Sequence, residues 1–150
     1  MYKIDLNMEL LKIIPFAQYL GIKPKNKNYL SLELKPEVHN HIGTLHAAAQ
    51  FTLAETQSGL FLLSLFPDYA EEMMPLLRSS TLKYKHPATT ELIAIATVDE
   101  ESKKKFEKQY LKREKALLVI NVELKNSQGL TTMVSEFGWY VQKSACISSK

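Results

Sequence analysis

The sequence predicts an α+β domain in which an antiparallel sheet wraps around one long central helix. Three observations predict it. The first is a run of 22 residues, Leu45–Phe66 (LHAAAQFTLAETQSGLFLLSLF), whose single formal charge is Glu55. A segment apolar on nearly every side reads as a helix covered all round. The second is a set of segments after that run in which apolar and polar residues alternate, the pattern of half-buried strands. The third is Asn126-Ser127-Gln128-Gly129, a hairpin signal between the last two of those segments.

Taken in order, Asn7 is placed to cap a first short helix over Met8–Ile14. Pro15 suits the first turn of a second one, Phe16–Leu20, which Gly21 ends. Tyr29–Leu34 alternates and reads as a half-buried strand closed by Pro36. The central helix runs roughly over Leu45–Phe66 and stops at Pro67-Asp68, with a turn or short helical cap over Asp68–Glu72. Strands are expected over Leu76–Lys85, Glu91–Val98, Leu117–Lys125 and Leu130–Val141. Phe137, Trp139 and Tyr140 in the last of these favour extended backbone. Between the second and third lies DEESKKKFEKQYLKREK, with Phe106, Tyr110 and Leu111 at helical spacing. This segment, 99–115, predicts an exposed amphipathic helix whose Lys103, Lys104, Lys105, Lys108, Lys112, Arg113 and Lys115 form a solvated face diluted by Glu100, Glu101, Glu107 and Glu114.

At 150 residues the chain is read as one domain, with its core over about residues 8–142 and a flexible tail over 143–150. Nineteen Lys and Arg against sixteen Asp and Glu leave a formal charge of +3, interspersed along the chain, which gives no case for nucleic acid. The single cysteine, Cys146, allows no disulfide within the chain and sits in a Ser-rich tail, so a reducing, cytoplasmic setting is expected and a nucleophilic role is not. The start MYKIDLNMELLKIIPF lacks the basic head and apolar core of a signal peptide. The Leu45–Phe66 run carries Gln50, Thr52, Glu55, Thr56, Gln57 and Ser58 at its middle, which argues for a buried helix rather than a membrane span.

Glu55 is the chemical signal. A carboxylate among apolar neighbours is costly unless it is paired, hydrogen-bonded or used. Just upstream, the glycine-bearing turn Asn40-His41-Ile42-Gly43-Thr44-Leu45-His46 would open the helix, and a helix start facing a loop suits an anion. A base or nucleophile beside such a start suggests acyl-transfer chemistry. The bland alternative makes Glu55 a hydrogen-bonded tie between helix and sheet, His46 a helix cap and Asn40 a turn residue. His39 and His41 raise a metal site, but acidic and thiol partners at useful spacing are missing, so no metal is expected.

The spacing of Asn40, Gly43, His46 and Glu55, with small residues Ala47-Ala48 after the histidine, resembles the hotdog-fold acyl-CoA thioesterases, nearest to the phenylacetate-type branch and related uncharacterised thioesterase-like families. Ala47-Ala48 stands where that branch has a glycine pair, and Glu55 where it more often has aspartate. The resemblance implies a hotdog fold, an acyl pocket between subunits, and a homodimer or dimer of dimers. It implies hydrolysis of an acyl-CoA or acyl-carrier thioester, with Glu55 as base or nucleophile and the Ala47 N–H as oxyanion donor. His46 would orient the turn or contact the thioester, and Asn40 would hold water or substrate. Gly43, Thr44 and Ala48 would line the substrate, and Arg78, Lys83 or Lys85 would meet the nucleotide phosphates. No cofactor is implied beyond the CoA of the substrate. The rival expectation is a catalytically silent hotdog module that binds an acyl or CoA-like ligand or dimerises. A dehydratase using a histidine–acid pair is a weaker third.

Overall fold

The structure, a computed structural model, describes residues 4–145. Its elements are α1 (Pro15–Leu20), β1 (Lys23–Pro24), β2 (Leu30–Leu32), α2 (Ala47–Leu65), β3 (Met73–Tyr84), β4 (Leu92–Thr97), α3 (Glu100–Arg113), β5 (Lys115–Lys125) and β6 (Thr131–Lys143), with short 3-10 turns at Leu11–Ile13, Pro36–Val38 and Ala70–Glu72. The six strands form one antiparallel sheet in the order β1-β2-β4-β5-β6-β3.

The alternation read in the sequence sets the two faces of the sheet. Ala116, Leu118, Ile120, Val122 and Leu124 of β5 are buried, opposite Val141, Trp139, Phe137, Ser135 and Met133 of β6. With Leu92 and Ala94 of β4 they form the inner face, on which α2 lies. A one-residue slip would turn that whole set outward, so burial fixes the register. At the far end the hairpin turn works as expected: Asn126 Oδ1 accepts from the N–H groups of Gln128 and Leu130, and Gly129 takes a left-handed φ of 82°.

Thr52, Thr56, Gln57 and Ser58 in the middle of α2 are each hydrogen-bonded. Gln57, 1% exposed, accepts from the Leu30 N–H at 2.9 Å and donates to the Asn28 carbonyl at 3.0 Å. Ser58 Oγ accepts from the Trp139 indole N–H at 2.9 Å. Thr52 and Thr56 hydroxyls donate to the carbonyls one turn back. Gly59 leaves room for Trp139, since a Cβ there would stand 3.2 Å from the indole ring.

Several expectations are corrected. The first helix is a turn and a single 3-10 turn at Leu11–Ile13 rather than a helix over Met8–Ile14, although Asn7 Oδ1 does take the Glu9 N–H. β2 is three residues long and buried throughout: Leu30 and Leu32 face the core, and Ser31 on the opposite face is covered too and donates to the Lys23 carbonyl of β1. β1, two residues at the edge, has no periodicity to find. α2 is not covered all round: Ala47 and Ala48 are exposed, and Phe51, Glu55, Gly59 and Leu63 are half-buried along one strip. α3 is anchored more firmly than a solvated helix. Phe106 and Tyr110 are buried, and their rings lie 5.0 Å from Phe66 and 6.3 Å from Tyr69, while Leu111 points to solvent, 56% exposed. Strand β6 extends through Lys143, two residues past its expected end, and Ser144 donates its N–H to the Glu72 carbonyl. Cys146 lies outside the described residues.

Candidate functional site

The start of α2 is built by a closed loop. Asn40 Oδ1 accepts from the Ile42 and Thr44 N–H groups, and its amide donates to the Thr44 hydroxyl at 2.7 Å. Gly43, with φ 78° and open space where a Cβ would stand, is required for its backbone conformation rather than for a close approach. Leu45 is buried, and its N–H donates to the Ala88 carbonyl, locking the loop to the chain after β3. Asn40 and Thr44 are thus engaged in holding the turn.

His46 is the N-cap of α2. Its Nδ1 accepts from the Ala48 N–H at 2.9 Å, which places the ring proton on Nε2. Gln50 closes the first helical hydrogen bond to the His46 carbonyl. Among the described residues the Ala47 and Ala49 N–H groups have no acceptor. Two unpaired donors at the positive end of a 19-residue helix suit an oxyanion. Tyr84 at the end of β3 donates its hydroxyl to the Ala47 carbonyl at 2.9 Å, tying the helix start to the sheet edge. Burial pushes the Tyr84 phenol up, so it stays a donor. Nothing in the residue pattern of the expected strand Leu76–Lys85 singled out this tyrosine.

Glu55 lies two turns farther along, on the strip of α2 that begins at Ala48 and Phe51. Burial alone raises its pKa above the ordinary glutamate value. Among the described residues its carboxylate has no ion-pair or hydrogen-bond partner. The role of a polar tie between helix and sheet falls to Gln57 and Ser58 instead. Glu55 is therefore a desolvated carboxylate on the uncovered side of its helix.

The basic candidates do not converge on this place within one chain. Arg78 is the bulged residue of β3 and lies over the Tyr140 ring, 4.5 Å from its centre, on the outer face of the sheet. Lys83 is on the same outer face, and Lys85 is exposed just beyond β3. Lys83 borders a concavity of about 640 Å³, with Ile95, Asn121, Glu123, Val134 and Glu136. That hollow has the whole sheet between it and α2, and its lysines and glutamates offset one another. Another concavity, about 150 Å³, lies beside His46, Ala48 and Ala49. No group of three His, Cys, Asp or Glu that could hold a metal ion occurs among the described residues. No helix among them is long and apolar enough to cross a membrane.

The family model described as a domain of unknown function, DUF4442, matches residues 18–141, from α1 to the end of β6. The chain belongs to that family. No curated protein sequence matches it. Solved structures do match. A Pseudomonas aeruginosa protein described as of unknown function, "Probable Thioesterase", is 25% identical over 95% of this chain and 100% of its own, with a TM-score of 0.76. A Bacillus halodurans protein crystallised with CoA is 18% identical over 89% of this chain and 80% of its own, with a TM-score of 0.69. A Staphylococcus aureus thioesterase, in a glutamine-to-alanine variant, is 17% identical over 85% of this chain and 98% of its own, with a TM-score of 0.68. The fold is the hotdog fold that the sequence motif resembles.

Proposed function

We propose that the DUF4442 chain hydrolyses acyl thioesters of the CoA type, acting as a homodimer with sites shared between protomers. The observation that carries this is the partnerless, desolvated carboxylate of Glu55 on the uncovered strip of a helix whose Ala47 and Ala49 N–H groups have no acceptor among the described residues. The thioesterase-titled structures that share the fold support it, as does the CoA held by the Bacillus halodurans protein. So does a matter of spacing. The Staphylococcus aureus protein has been prepared with a glutamine and, separately, a glutamate changed to alanine, and the numbers of those two positions differ by 15. Asn40 and Glu55 are also 15 apart (55 − 40). A cytoplasmic location would expose the enzyme to such substrates.

In the reaction, Glu55 takes a proton from water as the oxygen attacks the thioester carbonyl carbon. The carbonyl oxygen gains negative charge, and the Ala47 N–H with the helix dipole stabilises it. Collapse breaks the C–S bond, and the thiolate leaves with the proton from Glu55, giving acid and free thiol. Direct attack by the carboxylate, through an anhydride that water then opens, uses the same groups.

The two groups do not reach one carbonyl within a single protomer. Ala47 and Glu55 are separated by about 12 Å of helical rise. A glutamate side chain leans toward the helix N-terminus but does not span that gap. A second copy seated along β3 would bring its own α2 start to the first copy's Glu55. The uncovered strip of α2 and the free edge of β3 lie side by side, joined by the Tyr84–Ala47 hydrogen bond.

Thiol release from a panel of acyl-CoA thioesters, wild type against Glu55→Ala, tests the proposal. Loss of the base is expected to lower kcat/KM by roughly 100- to 10,000-fold. A silent binding module is the second reading, favoured by the methyl groups that Ala47 and Ala48 put at the helix start and by the engagement of Asn40 within its loop. Wild-type protein that binds acyl-CoA and releases no thiol from any substrate would establish it.

A further inference from the structure

The peptide unit that joins Ala47 to Ala48 is held at both ends by side chains. Its carbonyl accepts from the Tyr84 hydroxyl at 2.9 Å, and its N–H donates to His46 Nδ1 at 2.9 Å. The peptide units on either side carry the Ala47 and Ala49 N–H groups, which have no acceptor among the described residues. The fixed unit therefore lies between the two free donors.

The helix does not require the tyrosine bond. Ala47 is the first residue of α2, so its carbonyl has the Phe51 N–H as its regular helical partner. The phenol brings a second donor to a carbonyl already satisfied. Tyr84 ends β3 and is 45% exposed, so its ring adds little to the core. What the hydroxyl adds is direction. Helix ends fray, whereas a donor serves an oxyanion best when it is aimed before the charge develops. The strand that Tyr84 ends is also the edge on which the second copy is proposed to sit. The same residue thus sets the Ala47 N–H in one frame with the partner's Glu55.

We propose that Tyr84 is a positioning residue for the thioester reaction: together with the His46 ring it fixes the Ala47–Ala48 peptide and keeps the Ala47 N–H aimed at the oxygen that becomes charged. The inference rests on the thioesterase reading above for the identity of that oxygen. Tyr84 touches no reacting atom. Its effect passes through the Ala47 N–H, and a double-mutant cycle detects that dependence.

The test compares the full-length wild type with Tyr84→Phe, with Ala47→Pro, which deletes the donor, and with the double variant. Three quantities are measured. They are thiol release from an acyl-CoA, affinity for a CoA trifluoromethyl ketone whose hydrate presents an oxygen on a tetrahedral carbon, and affinity for the CoA thioether of the same chain, which has no carbonyl oxygen. Tyr84→Phe is expected to lower kcat roughly 10- to 100-fold with KM unchanged. Ketone affinity should fall by a similar factor and thioether affinity should hold. The double variant is expected to match Ala47→Pro alone, because a donor that is gone cannot be misaimed. Losses that multiply in the double variant, a Tyr84→Phe protein as active as wild type, or a thioether affinity that falls with that of the ketone would overturn the inference. Where wild type releases no thiol, the same cycle is read on ketone affinity. Coupling there refutes the hydrolase alone and upholds the positioning role. Absence of coupling, or a wild type that does not distinguish ketone from thioether, overturns both.

Discussion

Glu55 admits two physical readings, a base and a structural tie. In the sequence it was the lone charge of a long apolar run, and a tie between helix and sheet was an equally physical account of it. The structure gives that tie to Gln57 and Ser58, whose partners are named and short, and leaves Glu55 with burial and no compensation. Its cost to the fold has a predicted pH signature. Burial raises the Glu55 pKa in the folded chain above the unfolded value near 4.5, so the folded state holds this proton more tightly. Ionisation therefore subtracts stability as pH rises from the unfolded to the folded pKa, and in full above the latter. Glu55→Gln is predicted to raise the melting temperature at neutral pH, with the gain shrinking toward zero below the unfolded pKa. A gain that persists undiminished in acid would point to packing rather than charge. The kcat/KM of the wild type should fall on an acid limb whose midpoint lies above 4.5, where the base becomes protonated.

Ala47 offers a cleaner test of the oxyanion donor than any side chain. Proline is tolerated at the first position of a helix, where its missing N–H has no intrahelical partner to lose. His46 already has φ −61° and ψ 139°, the backbone region that a following proline demands. Ala47→Pro is thus predicted to keep or slightly raise thermal stability while lowering kcat roughly 100- to 1,000-fold. Equal loss of stability and activity would make the change a folding defect. The sequence exposed this position only through the resemblance. The sequence already offered His46 as the helix cap, but the free N–H groups and the Tyr84 anchor are facts of geometry that no spacing encodes.

At the scale of elements, periodicity was legible wherever one face is buried and the other is not. β4, β5 and β6 lie within two residues of where alternation placed them, because each slip would exchange the two faces. β1 and β2 carry no such contrast, since two residues make no period and β2 is buried throughout. α3 was found from its spacing, but its weight in the fold was not. Charge dominates its composition, whereas Asp99 caps it through the Ser102 N–H at 2.8 Å and its two inward aromatics close the C-terminal end of α2. Phe106, 1% exposed, is the larger contributor. Phe106→Ala is predicted to destabilise the protein by about 3–5 kcal/mol in denaturant unfolding. Leu111→Ala, one turn on and facing solvent, should stay within about 0.5 kcal/mol of wild type. Similar losses at both positions would mean that α3 has a second buried side.

At the scale of the whole molecule, what α2 leaves uncovered and what the sheet leaves unpaired coincide. β3 is an edge strand of twelve residues, and such an edge is open to pairing with another chain. Pro75 and the bulge at Arg78 interrupt its first half, while Ser79–Tyr84 runs in regular register on β6 with its other side free. That regular half is the part beside the α2 start. A two-fold pairing there would cover Ala48, Phe51 and Glu55 of both copies and form two equivalent sites, each with Glu55 from one protomer and Ala47 from its partner. The long apolar run looked as though it should be covered all round because the sequence does not say how many chains do the covering. Separately inactive Glu55→Ala and Ala47→Pro proteins, unfolded together and refolded as a mixture, are therefore predicted to regain activity. Random pairing puts half of the molecules in mixed dimers, each with one intact site and one doubly altered site, so recovery should approach about one quarter of wild type. A mixture as inactive as its components would show that both groups serve the same carbonyl from one protomer, and α2 would then have to bend to bring them together.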